Sequence, residues 1–341
     1  MGGANQGERR EHRLGFDVSR PRLTFACGLY DRTDALRTGD VKLKDIDLEF
    51  LAIPSPRELF DRMGGNQEFD SSEFSSSEFI SRFDRGDCPF VALPVFPSRV
   101  FRHGYIYVNR KSGIHAPKDL EGKRVGVALY TMTAAVWIRG HLADQYGVDC
   151  STFQWTEGAI NHAGRHGEPS APPLRKPVKI AHDPQGRSLR DLLAAHEIDA
   201  IIGTQHPHPH SDIAPLFADA RAVERAFYLK TKIFPIMHLV VMRRDTYERN
   251  PVAADSLYRG LVEAKNLARE RLHKGHPLML PWVHSDIHEM DEVFGGDTYP
   301  YGIEANRPTL EALVRHMFDQ NFISRKIPVE ELFVRVAKEL R

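Results

Sequence analysis

The chain has 341 residues with 46 basic and 46 acidic side chains, so no net field gathers nucleic acid or an anionic membrane, and any anion site has to be local. That length is about two domains' worth and buries cores without disulfide or metal staples. Cys27, Cys88 and Cys150 are odd in number and widely spaced, which fits neither a disulfide framework nor a zinc motif and leaves buried free thiols.

Residues 1–21 are Gly-rich and then charged, and read as a disordered tail with no apolar signal-peptide core. Gln6 stands where a myristoylation signal wants Ser or Thr, and no run approaches the roughly 18 apolar residues of a membrane span. The expected compartment is the cytoplasm. Leu23 to Leu29 reads as a buried strand ending at the turn Tyr30-Asp31-Arg32-Thr33, with helix signals after it. A second strand covers Ile46 to Ile53 and a short helix Pro56 to Met63. Ser71 to Ser77, broken by Glu73 and Phe74, suits a strand end feeding a helix N-cap. Strands follow at Phe90 to Val95 and Tyr105 to Asn109.

The pattern restarts near residue 117 with a strand over Arg124 to Ala128 and a helix capped by Thr131 or Thr133 that runs to Tyr146. Thr156 to Pro177 has no period and reads as a long surface loop. Arg187 to Ala195 is helical, Ile198 to Gly203 and Ile236 to Met242 are strands, and Asp255 to Lys274 keeps helical spacing. Further helices start near Pro308 and Pro328. Alternating strands and helices predict an α/β chain with mostly parallel sheets, helices on both faces, and a ligand cleft between two lobes at the carboxyl ends of the strands.

Arg99, Arg102 and His103 follow one strand and Arg32 follows another. Guanidinium forks suit carboxylates or phosphates, and Phe96, Phe101, Tyr105 and Tyr107 frame the first cluster with rings. His238 lies inside an apolar strand, where a lone imidazole is more often a core residue. His206, His208 and His210 alternate with prolines in an extended run, so three imidazoles could share a face around a metal ion, although no carboxylate is at hand to orient them. His284 and His288 have zincin spacing, but Ser285 occupies the place of the general-base Glu, and the pair reads as surface. No GxGxxG or Walker loop is present.

Several segments together resemble the 4,5-dihydroxyphthalate decarboxylase family: Tyr30 to Thr33, Glu73-Phe74-Ser75, Pro94 to His103, Tyr130 to Trp137, Phe234 to His238 and Tyr301 to Arg307. The resemblance implies a two-lobed fold like that of type 2 periplasmic substrate-binding proteins. Lobe 1 would comprise 22–107 and 238–341, with lobe 2 inserted as 108–237. It also implies non-oxidative decarboxylation of a dihydroxylated aromatic dicarboxylate, most simply 4,5-dihydroxyphthalate to 3,4-dihydroxybenzoate. His196 and the His-Pro run depart from the family pattern, which puts the substrate in question more than the fold.

Direct loss of carbon dioxide from an arene would leave an aryl carbanion, so the ring has to be protonated first. Each carboxylate of the substrate lies para to a hydroxyl, and ionising that phenol pushes electrons onto the carbon to be protonated. A base, an acid and an anion clamp then suffice, and no cofactor is expected. On this reading Arg32, Arg99 and Arg102 clamp the carboxylates, and Ser75 and Thr131 add hydrogen bonds. His103 or His238 donates the proton, and Glu73 accepts from the catechol. The partner is a small aromatic dicarboxylate, not nucleic acid or a membrane, with homo-oligomerisation left open. A solute-binding protein without catalysis and a metal-dependent decarboxylase or hydrolase built on the His-Pro run remain alternatives.

Overall fold

The computed structural model describes residues 20–167, 171–275 and 279–336; the expected disordered tail falls, except for its last two residues, outside them. The chain opens with β1 (Arg22–Cys27), α1 (Asp31–Thr38), β2 (Asp47–Ala52), α2 (Pro56–Asp61), β3 (Ser71–Ser75), α3 (Ser76–Arg85) and β4 (Phe90–Arg99). It then crosses to β5 (Ile106–Asn109), β6 (Arg124–Val127), α4 (Thr133–Tyr146), β7 (Gln154–Glu157), β8 (Ile180–His182), α5 (Leu189–Ala194), β9 (Ala200–Ile202), β10 (Ile213–Pro215) and α6 (Ala220–Thr231). It returns through β11 (Ile236–Arg243) to α7 (Arg244–Arg249), α8 (Pro251–His273), α9 (Val283–Phe294) and α10 (Arg307–Asp319).

Two sheets result, ordered β2-β1-β3-β11-β4 and β10-β5-β9-β6-β7-β8. Both sheets are mixed, and among the described residues parallel ladders are the more numerous, as expected: β1 with β2 and β3, and β6 with β7 and β9, plus β7 with β8. The antiparallel ladders all involve β5, β10 or β11. β5 and β11 enter a sheet directly from the other one, without the crossover helix that a parallel neighbour requires. The divisions expected at 107/108 and 237/238 fall inside β5 and β11.

The strands of the first sheet are apolar on both faces because helices cover both. On β4, Phe90 and Ala92 join Phe74, Leu59 and Phe79 of α2, β3 and α3 on one face. Val91, Leu93 and Val95 meet Phe25, Leu36 of α1 and Leu257 and Leu261 of α8 on the other. Near-continuous apolar runs are what such double coverage selects. Around the second sheet, Val125 and Val127 face α4, while Ile201 and Ile198 face Leu189 and Leu192 of α5.

Sequence patterning finds most of these elements and misses β7, β8, β10, α6, α7 and α9, which are short or weakly periodic. The helix expected from Asp255 starts at Pro251, where proline suits a first helical position, and that expected near Pro328 is a single 3-10 turn, Val329–Leu332. The three thiols are free, with Cys27 and Cys88 buried and Cys150 half-buried. His284 and His288 lie exposed on α9.

Candidate active site

A cavity of about 360 Å³ opens where the chain leaves β3, β6 and β9 and enters β11. Phe60, Leu129, Met132 and Met237 give it apolar walls, and Ser75, Arg102, Thr131, Thr133 and His238 give it polar ones. That mix of apolar lining and few polar groups is usual for a small-molecule site.

The N-terminal ends of α3 and α4 meet there. Ser75 caps α3, and its Oγ lies 3.1 Å from Thr133 Oγ1 and 3.3 Å from Ser77 Oγ; the Ser77 N–H donates to Thr133 Oγ1 at 3.1 Å. These hydroxyls knit the helix starts of the two sheets together. Each helix thereby directs its positive end and first-turn N–H groups at the same space, which favours an anion. The cap of α4 is Met132, with no side-chain bond, and Thr133 is its first helical residue. Thr131 Oγ1 is buried in the cavity wall without a hydrogen-bond partner among the described residues.

Arg102 supplies the fixed positive charge. Its Nε donates to Met237 Sδ at 3.2 Å and its guanidinium lies over the Tyr105 ring at 4.8 Å, but no carboxylate comes within ion-pair distance among the described residues. Burial lowers its pKa to about 10, which still leaves it charged near neutrality. A buried cation without a counter-ion is costly, and a bound carboxylate would repay that cost.

His238 faces Ser75 across the β3–β11 ladder and lines the cavity. Its Nδ1 lies 2.5 Å from Glu73 Oε1, the two side chains being 17 % and 0 % exposed. Tyr30 donates its hydroxyl to the same oxygen at 2.6 Å, while Glu73 Oε2 accepts from the Gly28 N–H at 2.9 Å and the Cys27 thiol at 3.5 Å. Glycine suits the close approach at position 28, where a Cβ would stand 3.2 Å from Oε2 and 3.0 Å from the Tyr30 ring. Burial alone would raise the Glu73 pKa, but His238, Tyr30 and Gly28 outweigh it and hold the carboxyl below its usual value. Burial and Glu73 push the Tyr30 phenol up, so it stays a donor. The buried carboxylate fixes the imidazole with Nδ1 inward and leaves Nε2 for the cavity.

Four of the expected roles change. Glu73 lies wholly behind His238 with both oxygens engaged, so it orients the imidazole and does not meet the catechol. Arg99 does not line the cavity: it points under the 300–306 segment, donating to Pro300 O at 2.9 Å and to Asn306 Oδ1, and serves as a structural pin. Arg32 also stays outside, sandwiched between the Tyr30 and Tyr299 rings at 4.3 and 4.2 Å and bonded to Pro97 O. His103 turns away into a ring cluster, stacked on His141 at 5.3 Å and packed by Phe217 and Phe227, with neither ring nitrogen partnered.

That histidine cluster has a consequence for stability. Burial lowers His103 and His316 to about 4 and carries His141 well down. Between about 6.5 and 4 the unfolded chain therefore binds more protons than the folded one, so stability falls as pH falls through that window. His103 alone accounts for up to about 3 kcal/mol at the acid end. The melting temperature is expected to drop steadily from pH 7 to pH 4.5, and His103→Phe to flatten the slope while leaving turnover near normal; an unchanged slope would contradict the assignment.

Arg57 and His166 also line the cavity and were not anticipated. The Ser55-Pro56 start of α2, with a capping serine and proline at the first helical position, was the available signal for Arg57. His166 arrives on the aperiodic stretch read as a surface loop, which carried no signal. That stretch crosses to the first sheet's helices, where Arg85 of α3 donates to Pro173 O and Arg175 Nε bonds Asp84 Oδ2 at 2.7 Å.

The His-Pro run does not converge. His206 stacks on Tyr105 at 4.5 Å and bonds the Tyr107 hydroxyl at 2.7 Å, while His210 Nδ1 accepts from the Asp212 N–H. Among the described residues no group of three His, Cys, Asp or Glu could hold a metal.

No family model matches the chain. It is 33 % identical over 322 residues to the 4,5-dihydroxyphthalate decarboxylase of Comamonas testosteroni, covering 93 % of this chain and 97 % of the relative. It is 34 % identical over 210 residues to the 4,5-dihydroxyphthalate decarboxylase of Pseudomonas putida, covering 60 % of this chain and 81 % of that protein. Among solved structures, the periplasmic aliphatic sulphonate binding protein SsuA of Escherichia coli superposes with a TM-score of 0.51 at 11 % identity, covering 94 % of both chains. That likeness shows the periplasmic-binding-protein fold. With a third of its residues identical to the first of these enzymes over nearly the full length of both, the chain belongs to the 4,5-dihydroxyphthalate decarboxylase family.

Proposed function

We propose that the chain is a carboxy-lyase that converts 4,5-dihydroxyphthalate to 3,4-dihydroxybenzoate and carbon dioxide. The observation that carries this reading is a Glu73-oriented imidazole in a cavity that also holds an unpaired arginine and two helix N-termini. Arg102, Thr131 and the starts of α3 and α4 hold the two carboxylates. His238 Nε2 delivers a proton to the ring carbon that bears one of them, while the hydroxyl para to that carbon loses its proton. The carbon–carbon bond then breaks, carbon dioxide leaves, and the bonding electrons return through the ring to the para oxygen, which is reprotonated. One proton has replaced one carbon dioxide. The acid is a positioned histidine, the commonest group for such transfers.

The thiols Cys27, Cys88 and Cys150 are all unpaired, which fits a reducing compartment and supports placing the reaction in the cytoplasm. Among the described residues no helix is long and apolar enough to cross a membrane.

Incubation of the purified chain with 4,5-dihydroxyphthalate is expected to yield one equivalent each of 3,4-dihydroxybenzoate and carbon dioxide, followed by chromatography. Tight binding with no product would instead make the protein a carrier of aromatic acids.

A further inference from the structure

A catechol presents two hydroxyl donors, and the cavity wall has to offer acceptors for them. Glu78 of α3 lines the cavity, but its carboxylate is engaged by Arg82 at 3.1 Å and lies 3.9 Å from Arg57. His166 lines the cavity on the α2 side, where no other residue between Ala159 and Gly167 does, and its imidazole makes no hydrogen bond among the described residues. Its backbone is pressed onto Arg57: a Cβ on the neighbouring Gly167, whose φ is +144°, would stand 3.0 Å from both Arg57 Cγ and Cδ. Arg57 commits Nε and Nη2 to Asp61, which leaves Nη1 without a protein partner among the described residues.

We propose that His166 is a specificity-determining residue that accepts a hydrogen bond from a ring hydroxyl of the substrate, with Arg57 beside it to hold that oxygen as its proton leaves. The proposal rests on the decarboxylation reading and supplies the partner for the substrate hydroxyls that Glu73, placed behind His238, does not reach. Burial, and then Arg57, lowers the His166 pKa, so the ring is neutral near pH 7 and offers one acceptor nitrogen. A phenol that gives up its proton develops negative charge on oxygen, and a guanidinium already in place stabilises it without reorganisation. The pair would thus serve recognition of the hydroxyl first and its ionisation second.

The test compares two ligands differing only in the hydroxyls, 4,5-dihydroxyphthalate and phthalate, by calorimetry on wild type, His166→Leu and His166→Gln. Wild type should prefer the dihydroxylated ligand. His166→Leu is expected to weaken it about ten-fold, the worth of a hydrogen bond near 1.4 kcal/mol, and to change phthalate affinity less than two-fold. His166→Gln keeps an acceptor and should recover part of the difference. Equal weakening of both ligands, or of neither, would overturn the proposal. A wild type that binds both without turnover would sink the decarboxylation reading and still leave the affinity ratio readable.

Discussion

His238→Ala should lower kcat on 4,5-dihydroxyphthalate by about 10²–10⁴-fold, the range that a positioned acid–base group contributes. Substrate affinity should change little, because the carboxylates are held by Arg102 and the helix ends rather than by the imidazole. Single-turnover experiments separate the two: the bound complex should form normally and then decay slowly. Glu73→Gln tests the same unit from behind. The amide keeps the size of the carboxyl but replaces one acceptor oxygen with a donor, and every neighbour of Glu73 is itself a donor: the Gly28 N–H, the Tyr30 hydroxyl, the Cys27 thiol and the His238 Nδ1–H. A smaller loss of kcat, about 10–100-fold, should accompany a stability loss of about 1–3 kcal/mol from the donors left facing one another. Full activity in His238→Ala would remove the imidazole from the mechanism.

Arg102→Leu is expected to act on a different quantity. Removing a buried charge that pairs with a bound carboxylate costs about 2–5 kcal/mol, so kcat/KM should fall by roughly 10²–10³-fold, mostly through KM. The unliganded protein should at the same time become no less stable, because in the free state the guanidinium is buried against a thioether and a ring with no carboxylate at ion-pair distance among the described residues. A rise in thermal stability joined to a loss of substrate affinity is the signature of a group kept for binding. If Arg102→Leu unfolds the protein or leaves KM unchanged, the clamp lies elsewhere. Arg99→Leu offers the contrast, since its hydrogen bonds to Pro300 and Asn306 tie the chain to itself, and its loss should appear in stability first.

The contrast between these two arginines shows where reading the sequence stopped. Strand β4, the polar ends of β1 and β3, and the apolar identity of β11 all follow from patterning, because double-sided coverage writes itself into the chain as apolar runs. The direction of each side chain between Arg99 and His103 does not. The chain there leaves a strand and enters a 3-10 turn, and Arg99, Arg102 and His103 go to the interior, the cavity and the ring cluster respectively. Register irregularities in β11 between Ile236 and Val240 likewise break the alternation that would have predicted which way His238 faces. The depth of Glu73 depends on Tyr30, Gly28 and His238 closing around it, which no local pattern records. His166 lay beyond reach altogether, since a segment without period says nothing about where it lands.

Within the first sheet, β4 has β11 as its neighbour and β3 has β1 and β11, so one strand joins the two halves. Synthesis delivers β4 by Arg99, but β11 is complete only at Arg243. Until then the ten-residue apolar strand β4 has no sheet partner, and the whole second sheet emerges in the interval. An unpaired apolar strand is a hazard for aggregation, so an interrupted or slowly translated chain is vulnerable through that interval. The Glu73–His238 hydrogen bond spans the same seam, with Glu73 on β3 and His238 on β11, so the proposed acid is assembled only when β11 docks. Activity is therefore among the last properties the folding chain acquires, and its appearance during refolding reports the closing of that seam rather than the formation of either half.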